Sequence, residues 1–307
     1  MAIRASLWHN PSMTDALHVF NRLAVRHHRE RAVPAFAEHD FMHAEVAERL
    51  LDRLDDITRQ FPLAADISCR GGLLGRHLQG RGGIETLIGG DLSPALVAGH
   101  NGPVAVLDDE TLPFADASLD LVLSNLGFHW INDLPGTLLQ IRRALKPDGL
   151  LLASMFGGET LHELRAALSA AEIEVEGGIS PRVSPFVDIR DAGALMQRAG
   201  FALPVLDAET ISVSYEHPLK LLKDLRGMGE TSAVNERRTS FSRRATLMRA
   251  MEIYMDRHAG VDGRITASFE VIFITAWAPA ETQQKPARRG SADVSLADVL
   301  TTPDATD

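Results

Sequence analysis

Residues 63–76 constrain the fold more than any other stretch of this 307-residue chain. A short apolar run ends at Asp66, the tight segment Ser-Cys-Arg-Gly-Gly follows, and leucines then recur at helical spacing up to Leu78. This order predicts a strand, a turn and a helix, which is the opening unit of an α/β nucleotide-binding sheet. Glycine is needed in such a turn where the backbone takes positive φ or where a ligand lies against it.

Composition and charge narrow the class of protein. The net charge of −10 argues against a molecule that binds nucleic acid electrostatically, so we predict no nucleic-acid partner. A single cysteine excludes internal disulfides and a cysteine-based zinc site. No apolar run approaches membrane-spanning length and no signal-peptide core follows the start, so we predict no integral membrane segment and a cytoplasmic location.

The pattern along the chain divides it into three parts. Residues 1–58 are predicted to form an N-terminal helical arm that packs on the core. Residues 59–279 are predicted to form the main domain, with helical insertions within 160–260. Residues 280–307 are rich in polar residues and proline and show no periodicity, which predicts a disordered tail.

The first predicted helix carries a strongly basic face, formed by Arg22, Arg26, His27, His28, Arg29 and Arg31. Such a face belongs either to a lid or partner-binding arm that meets anionic groups, or to a solvated surface, where charge runs usually lie. A second ambiguity is the pair His39 and His43, whose spacing places both on one helix face, as in some metal sites. No third ligand is evident, so we predict an amphipathic helix edge and no metal.

Acidic residues follow the predicted strands 2 and 3. Asp91 lies about twenty residues past the glycine turn, where a carboxylate accepts hydrogen bonds from both ribose hydroxyls of an adenosyl ligand. Leu92 would then cover one face of the adenine. Asp108, with Asp109 as the alternative, is placed to accept from the adenine amino group. The competing interpretation of Asp91 is a turn or cap residue.

Ser124, Asn125, His129 and Trp130 cluster after predicted strand 4. Ligands of doubly wound sheets sit beyond the carboxyl ends of the strands, so this loop should face the reacting group, and Ser124 should line the cofactor site. We predict His129 as a general base or orienting residue and Asn125 as a hydrogen-bonding partner of the acceptor. The alternative is that Trp130 packs on the next helix and His129 is only a loop histidine.

Four segments carry a resemblance to a known superfamily. They read D-I-S-C-R-G-G (66–72), G-D-L-S-P (90–94), L-D-D-E-T-L-P-F (107–114) and L-K-P-D-G-L-L (145–151). Residues 63–156 resemble the core of class I S-adenosylmethionine-dependent methyltransferases, including the biotin-pathway group. The resemblance implies an α/β, doubly wound, mostly parallel seven-stranded sheet of order 3-2-1-4-5-7-6 with N-terminal helices. Residues 209–215 would be strand 6 and 264–278 an antiparallel strand 7.

The same resemblance implies S-adenosylmethionine as the cofactor. It assigns Asp66 and Gly72 to the glycine motif, Asp91 to the ribose and Asp108 to the adenine. Ser68 and Arg70 stand where the motif has glycines. A side chain at either position is expected to displace the backbone from the methionine moiety or to impose a strained conformation costing about 1–3 kcal/mol.

The flanking sequences resemble a narrower family. The stretches F-N-R-L-A-V-R-H-H-R-E-R-A (20–32), L-K-D-L-R-G-M-G-E-T-S-A (222–233) and D-G-R-I-T-A-S-F-E-V-I-F-I-T-A-W-A-P (262–279) are similar to mitochondrial complex I assembly factor 5 and its alphaproteobacterial relatives. That resemblance implies a protein client, an NADH-dehydrogenase subunit. In the mitochondrial member it implies hydroxylation of an arginine.

Three functions are therefore open. The leading hypothesis is a methyltransferase-like enzyme acting on a protein client. Methyl transfer is an in-line displacement that needs positioning more than a strong base, which explains why no catalytic constellation is evident. The alternatives are a protein-arginine hydroxylase on the same fold, and a non-catalytic assembly chaperone with a decayed cofactor site. The sequence leaves the oligomeric state open.

Overall fold

The computed structural model describes residues 18–284, and these residues form one seven-stranded sheet with helices on both faces. The strand order is β3-β2-β1-β4-β5-β7-β6, so the predicted order 3-2-1-4-5-7-6 is confirmed. The first five strands pair in parallel, whereas β7 runs antiparallel between β5 and β6. The parallel strands place their carboxyl ends at one edge of the sheet, which is where such folds bind ligands.

The strands are β1 (Leu63–Asp66), β2 (Thr86–Asp91), β3 (Val104–Val106), β4 (Leu119–Ser124), β5 (Leu145–Phe156), β6 (Ala202–Tyr215) and β7 (Ile265–Trp277). The α-helices are α1 (Arg22–Ala32), α2 (Phe41–Asp55), α3 (Leu73–His77), α4 (Pro94–Val97), α5 (Leu134–Ala144), α6 (His162–Glu176), α7 (Ile189–Arg198), α8 (Pro218–Gly227) and α9 (Arg244–His258). Short 3₁₀ turns at Val33–Glu38 and Phe128–Trp130 complete the elements that matter for the site.

The central strands are covered on both faces: every residue of β4 is buried, as is β5 from Gly149 to Phe156, and most of these residues are apolar. One face of the sheet packs against α2, α6, α8 and α9, and the other against α5 and α7. Helix α2 supplies fully buried leucines and valine to the first core, so it is an integral part of that core. The central strands are therefore held from both sides, and their ends provide a rigid base for a site.

The N-terminal segment is fastened across the carboxyl ends of the strands. Phe20 forms an antiparallel bridge with Val234, flanked by hydrogen bonds from Asn21 N to Ala233 O (2.8 Å) and from Asn235 N to Val19 O (2.8 Å). Asn21 then caps α1 by accepting from Ala24 N. Helix α1 is thus joined to the segment that follows α8, and both lie over the predicted site.

Most predicted elements agree with the structure, with two instructive differences. Helix α1 begins at Arg22, although a helical pattern was predicted from residue 14, because Asn21 caps it; residues 14–17 lie outside the described part of the chain. The predicted tail also lies largely outside it. Strand β6 begins at Ala202, seven residues before the predicted start. Within residues 18–284, no helix has the length and apolar character needed to span a bilayer.

Candidate functional site at the carboxyl ends of the strands

The glycine turn after β1 takes positive φ at three successive residues, although the first of them is an arginine. Arg70 has φ +42°, Gly71 φ +71° and Gly72 φ +78°. A Cβ on Gly72 would lie 2.9 Å from the Cα of His100, so that position requires glycine. The Arg70 backbone N–H donates to Asp91 Oδ2 at 3.1 Å, which ties the turn to the end of β2.

Asp91 is buried at the end of β2, where the ribose carboxylate was predicted. Its Oδ1 accepts from the backbone N–H of Leu92 at 2.8 Å and from Arg29 Nη1 at 3.3 Å. Leu92 is half-buried against the cluster that contains Phe20 and Trp130. Both oxygens of Asp91 therefore have partners within the protein, and one of those partners is an arginine of α1.

Asp108 and Asp109 follow β3 and both pair with Arg22 of α1, Asp108 at 2.6 Å from Arg22 Nη2. Burial raises the pKa of Asp109 to about 6, against the opposing charges of Arg22 and Arg29. Burial also acts to raise the pKa of Asp108, but the charge of Arg22 and the hydrogen bonds from Glu110 N and Arg22 together outweigh it, and the pKa is lowered. The predicted adenine and ribose carboxylates are thus neighbours, and α1 contacts both.

Arg29 is the most unusual of these groups because it is a fully buried cation with incomplete pairing. Its Nη1 lies 3.3 Å from Asp91, while Nε and Nη2 have no hydrogen-bond partner among residues 18–284. Burial, reinforced by the like charge of Arg70, lowers the pKa of Arg29. The basic face of α1 was open to two interpretations, a lid that meets anionic groups or a solvated surface. The contacts of Arg22 and Arg29 support the lid, and the anionic groups that they meet are carboxylates of the chain itself.

Asp66 and two hydroxyls complete the base of the site. Asp66 Oδ1 accepts from Ser68 N at 3.2 Å, and burial, aided by the nearby charge of Asp91, raises the pKa of Asp66 to about 8. The hydroxyls of Ser68 and Ser124 lie side by side next to Gly127. Neither hydroxyl has a partner within the described chain. Buried hydroxyls without partners indicate a position where a polar ligand or water binds.

Glu230, which the sequence did not single out, is the centre of a second buried cluster. Its Oε1 accepts from Arg70 Nη2 at 2.6 Å, and its Oε2 accepts from Trp130 Nε1 at 2.8 Å and lies 3.0 Å from His129 Nε2. His43 Nε2 lies 3.6 Å from Oε1. Burial acts to raise the pKa of Glu230, but the charge of Arg70 and the histidine contacts lower it well below its usual value. Glu230 is therefore a buried carboxylate anion.

His129 and Asn125 have different surroundings. The backbone N–H of Phe156 donates to His129 Nδ1 at 3.4 Å, so Nε2 carries the proton that faces Glu230. The Asn125 amide donates to His43 O at 2.8 Å, and its oxygen accepts from the Ser154 hydroxyl at 2.9 Å. Asn125 therefore joins α2 to β5, and its role as a partner of the acceptor stays a prediction.

The predicted histidine pair takes two separate partners. His39 Nδ1 lies 2.8 Å from Asp224, whereas His43 faces the Glu230 cluster. Burial lowers the pKa of His43 to about 4, so His43 is neutral at physiological pH. Within the part of the chain that the structure describes, no group of three metal-ligating side chains is arranged to hold an ion.

A cavity of about 140 Å³ lies beside Glu230. Its walls are mainly apolar and include the aromatic rings of Trp130, Phe156 and Phe186, with Thr231, Ser232 and Arg182 at the polar side. The charge of Arg182 is balanced by Glu172, whose carboxylate lies 2.6 Å from Arg182 Nη2. Phe186 contacts the ring of His129, with centroids 5.8 Å apart. The arrangement suits a flat cation, because aromatic faces attract positive charge and the carboxylate adds a negative pole.

The positions fit an adenosyl cofactor in charge and place. Asp91, Asp109 and the unpartnered hydroxyls of Ser68 and Ser124 lie together at the switch point of the sheet, the location that the fold uses for nucleotides. In this conformation, arginines of α1 contact the carboxylates that the nucleoside would use. The predicted roles of Asp66, Ser68, Gly72, Asp91, Leu92, Asp108, Asp109 and Ser124 remain predictions.

Comparison with known proteins agrees with this geometry. Residues 65–153 match the family model for a methyltransferase domain, which supports S-adenosylmethionine as the cofactor. The zebrafish (Danio rerio) mitochondrial arginine-hydroxylase NDUFAF5 is 38% identical over 95% of this chain and 92% of its own length. The human protein of that name is 38% identical over 92% and 84%. The malonyl-[acyl-carrier protein] O-methyltransferase of Xylella fastidiosa is 33% identical over 85% and 89%.

Solved structures agree on the fold. The YcgJ protein of Bacillus subtilis superposes with a TM-score of 0.52 at 14% identity, covering 76% of this chain and 99% of that one. A candidate methyltransferase from Bacillus halodurans gives 0.51 at 15% identity, covering 75% and 99%. At this level of identity the likeness establishes the α/β methyltransferase architecture and nothing finer.

The comparisons correct one prediction. The sequence was expected to belong to a cytoplasmic protein, but the NDUFAF5 relatives from fish, human and Dictyostelium discoideum are named as mitochondrial proteins. The cytoplasmic prediction was wrong because it depended only on missing signals, and a missing signal carries little information about location.

Proposed function

The chain belongs to the NDUFAF5 family of methyltransferase-like enzymes, and on that premise we propose that it modifies an arginine side chain of a protein client with S-adenosylmethionine bound at the sheet edge. We infer an arginine as the target residue because the 38%-identical relatives are named arginine hydroxylases. We infer the client, an NADH-dehydrogenase subunit during assembly of respiratory complex I, from the resemblance of the flanking segments to the complex I assembly factor family.

One observation carries the proposal: an aromatic cavity ends at the buried anion Glu230. A guanidinium is planar and always charged, so aromatic faces and a carboxylate are its natural partners. Trp130, Phe156 and Phe186 supply the faces. Within residues 18–284, Glu230 Oε1 accepts one hydrogen bond, from Arg70, and His43 Nε2 lies 3.6 Å away. That oxygen therefore keeps a lone pair for an incoming donor.

The side chains around the cavity position the arginine of the client and exclude water from it. His129 is held by the backbone of Phe156 on one side and by Glu230 on the other, so its ring cannot turn freely. Asp91 and Asp109 hold the nucleoside, and Ser68 and Ser124 offer further hydrogen bonds. When bound, S-adenosylmethionine supplies an electrophilic methyl group on a sulfonium sulfur. The water-poor cavity then favours reaction with a positioned nucleophile.

The names of the relatives indicate two different reactions. Hydroxylation, the activity in the names of the 38%-identical relatives, inserts one oxygen atom and requires an external oxidant. Methylation, the chemistry of the 33%-identical relatives, requires only the cofactor. The non-catalytic chaperone is favoured by one observation, namely that Arg22 and Arg29 already contact the carboxylates that the nucleoside needs.

Co-expression with the soluble NADH-dehydrogenase subunits, followed by tandem mass spectrometry of every arginine peptide, tests the proposal. Gain of one oxygen atom indicates hydroxylation, and gain of one methylene unit indicates methylation. Asp91→Asn should abolish either product, whereas the matched surface variant Asp256→Asn on α9 should not. Co-purification of a subunit with unmodified arginines would support the chaperone and contradict our proposal.

Cofactor binding is tested separately by calorimetric titration with S-adenosylmethionine. We expect micromolar binding to the wild type and none to Asp91→Asn, because the amide keeps one acceptor oxygen where the carboxylate would accept hydrogen bonds from both ribose hydroxyls. Absence of heat at millimolar ligand would contradict the cofactor assignment.

A further inference from the structure

A second cavity lies on the outer side of the glycine turn. Its volume is about 180 Å³, and it is enclosed by the C-terminal half of α1, the Val33–Glu38 turn, the loop at Gly71 and α4. Three arginines line it, namely Arg29, Arg70 and Arg76. None of the described residues that line it is acidic, although the whole chain carries a net charge of −10.

The two deeper arginines have incomplete hydrogen bonding. Arg29 is 1% exposed and Arg70 is 5% exposed. Between them, three nitrogens (Arg29 Nε, Arg29 Nη2 and Arg70 Nε) are buried with no partner in residues 18–284. An incompletely paired buried cation is costly, and native proteins normally satisfy such groups with a counter-charge or a ligand.

The other contacts at this site explain why the protein's own carboxylates do not pair with every nitrogen of Arg29 and Arg70. Asp91 reaches only one nitrogen of Arg29, at 3.3 Å, while its other oxygen accepts from the Arg70 backbone. Glu230 takes Arg70 Nη2, and the backbone oxygen of Met228 takes Nη1. A Cβ placed on Gly71 would meet nothing within 4 Å, so the cavity is open over the turn.

We propose that this cavity is a binding site for a small oxyanion, a carboxylate or phosphate group, which accepts hydrogen bonds from Arg29 and Arg70 and is attracted by Arg76. Charge-assisted hydrogen bonds to guanidinium groups are the strong ones, and a forked donor matches the two oxygens of such a group. The anion has two sources: the amino-acid carboxylate of S-adenosylmethionine, in which case the inference rests on the proposed function, or a free phosphate.

The experiment compares three probes on the full chain. S-adenosylmethionine and decarboxylated S-adenosylmethionine share the adenosine, the sulfonium and the amine, but only the first carries a carboxylate. Inorganic phosphate is the third probe, with chloride at equal ionic strength as its control. Binding of the nucleosides is measured by calorimetry. The effect of phosphate is measured as the shift in the midpoint of thermal unfolding.

Two variants remove cavity charge. Arg29→Met replaces the buried cation with an apolar side chain of similar length, and Arg76→Gln alters an exposed residue, so the test stays valid if the buried variant does not fold. Arg190→Gln on α7, an exposed arginine remote from the cavity, is the matched control. If the carboxylate of S-adenosylmethionine fills the site, the wild type should bind S-adenosylmethionine about tenfold more tightly than its decarboxylated form. Arg29→Met should then bind both alike, and Arg76→Gln should reduce the preference.

If free phosphate is the source, phosphate should raise the unfolding midpoint more than chloride does. That excess should shrink in both cavity variants and persist in Arg190→Gln. Protection by phosphate without binding of either nucleoside would support the anion site while contradicting the proposed cofactor. Equal binding of the two nucleosides together with no excess protection by phosphate would overturn the anion site.

Discussion

Arg70 replaces a glycine of the turn after β1 and gives that turn contacts that glycine could not make. Its φ of +42° belongs to the region that glycine prefers, so the arginine is held in a conformation that costs about 1–3 kcal/mol. In return, its guanidinium contacts Met228 O and Glu230, and its backbone N–H contacts Asp91. The substitution that weakens the resemblance to a methyltransferase turn thus links the turn to the Glu230 cluster.

The first prediction concerns Glu230. Glu230→Gln should lower the free energy of unfolding by about 3–5 kcal/mol, because it leaves Arg70 buried without its counter-charge. Urea denaturation monitored by circular dichroism measures the change. Glu85→Gln, an exposed glutamate between β1 and β2, is the control and should leave the unfolding free energy nearly unchanged. A loss below about 1 kcal/mol for Glu230→Gln would show that Arg70 is paired in another way.

Asp66 predicts a pH dependence. Its pKa rises from 3.8 in the unfolded chain to about 8 in the folded protein. Between these values the folded state binds more protons, so the contribution of Asp66 to stability is full at low pH and is lost as pH rises toward 8.

Asp66→Asn is neutral in both states and should escape that loss. Relative to the variant, the wild type should lose up to about 1.4 kcal/mol of unfolding free energy per pH unit across this window. Urea titrations at several pH values measure the difference, with Asp256→Asn as the exposed control. A difference between wild type and Asp66→Asn that stays constant with pH would contradict the raised pKa.

Among the elements, α1 is the one whose role was most open from sequence. Its basic face was compatible with a solvated surface because charge runs usually face water. The structure divides that face: Arg26 and Arg31 are exposed, whereas Arg22 and Arg29 reach Asp108, Asp109 and Asp91. These pairs join residues separated by 62 to 87 positions, so no local pattern could have identified them.

Arg22→Gln should therefore loosen α1 and free the two carboxylates. We expect faster hydrogen exchange across Arg22–Ala32 and tighter binding of S-adenosylmethionine, because a competitor for Asp108 and Asp109 is removed. Arg26→Gln, whose side chain pairs only with Glu30 on the helix surface, is the control. Faster exchange of α1 with weaker or unchanged affinity would show that Arg22 does not compete with the ligand.

Strand β6 shows where local pattern fails for an element. Its first residues alternate between partly buried and exposed, as expected at a sheet edge, and Pro204 argues against a strand. The strand nevertheless begins at Ala202 because an irregularity between Ala202 and Val205 accommodates the proline, after which pairing with β7 continues to Tyr215. Tertiary pairing thus extended an element that was predicted only from residue 209.

For the molecule as a whole, the sequence predicts those features that follow directly from a parallel sheet. Continuous apolar runs predicted the inner strands, and acidic residues after β2 and β3 necessarily meet at one edge. Glu230 could not be found this way, because it lies on a loop after α8 and its partners Arg70 and His129 are 160 and 101 residues away. The only signal was the family-specific stretch 222–233.

The cover over the site consists of two segments that are distant in sequence, namely residues 19–32 and residues 233–235. Phe20 and Val234 face each other in an antiparallel bridge of the type that lacks direct hydrogen bonds between the paired residues, with Cα atoms about 4.5 Å apart in such pairs. That spacing suits a disulfide. The double variant Phe20→Cys/Val234→Cys should therefore form a reducible link that holds α1 and the 233–235 segment closed together.

If ligand enters by joint movement of these two segments, the oxidised double variant should bind S-adenosylmethionine much more slowly in stopped-flow fluorescence, and a reductant should restore the rate. The single variant Phe20→Cys controls for loss of the Phe20 contact with Trp130, and Val234→Cys controls for the second substitution. The native Cys69 is buried. Equal association rates in the oxidised and reduced forms would mean that the nucleoside enters without displacing the cover, and the lid role inferred for α1 would be wrong.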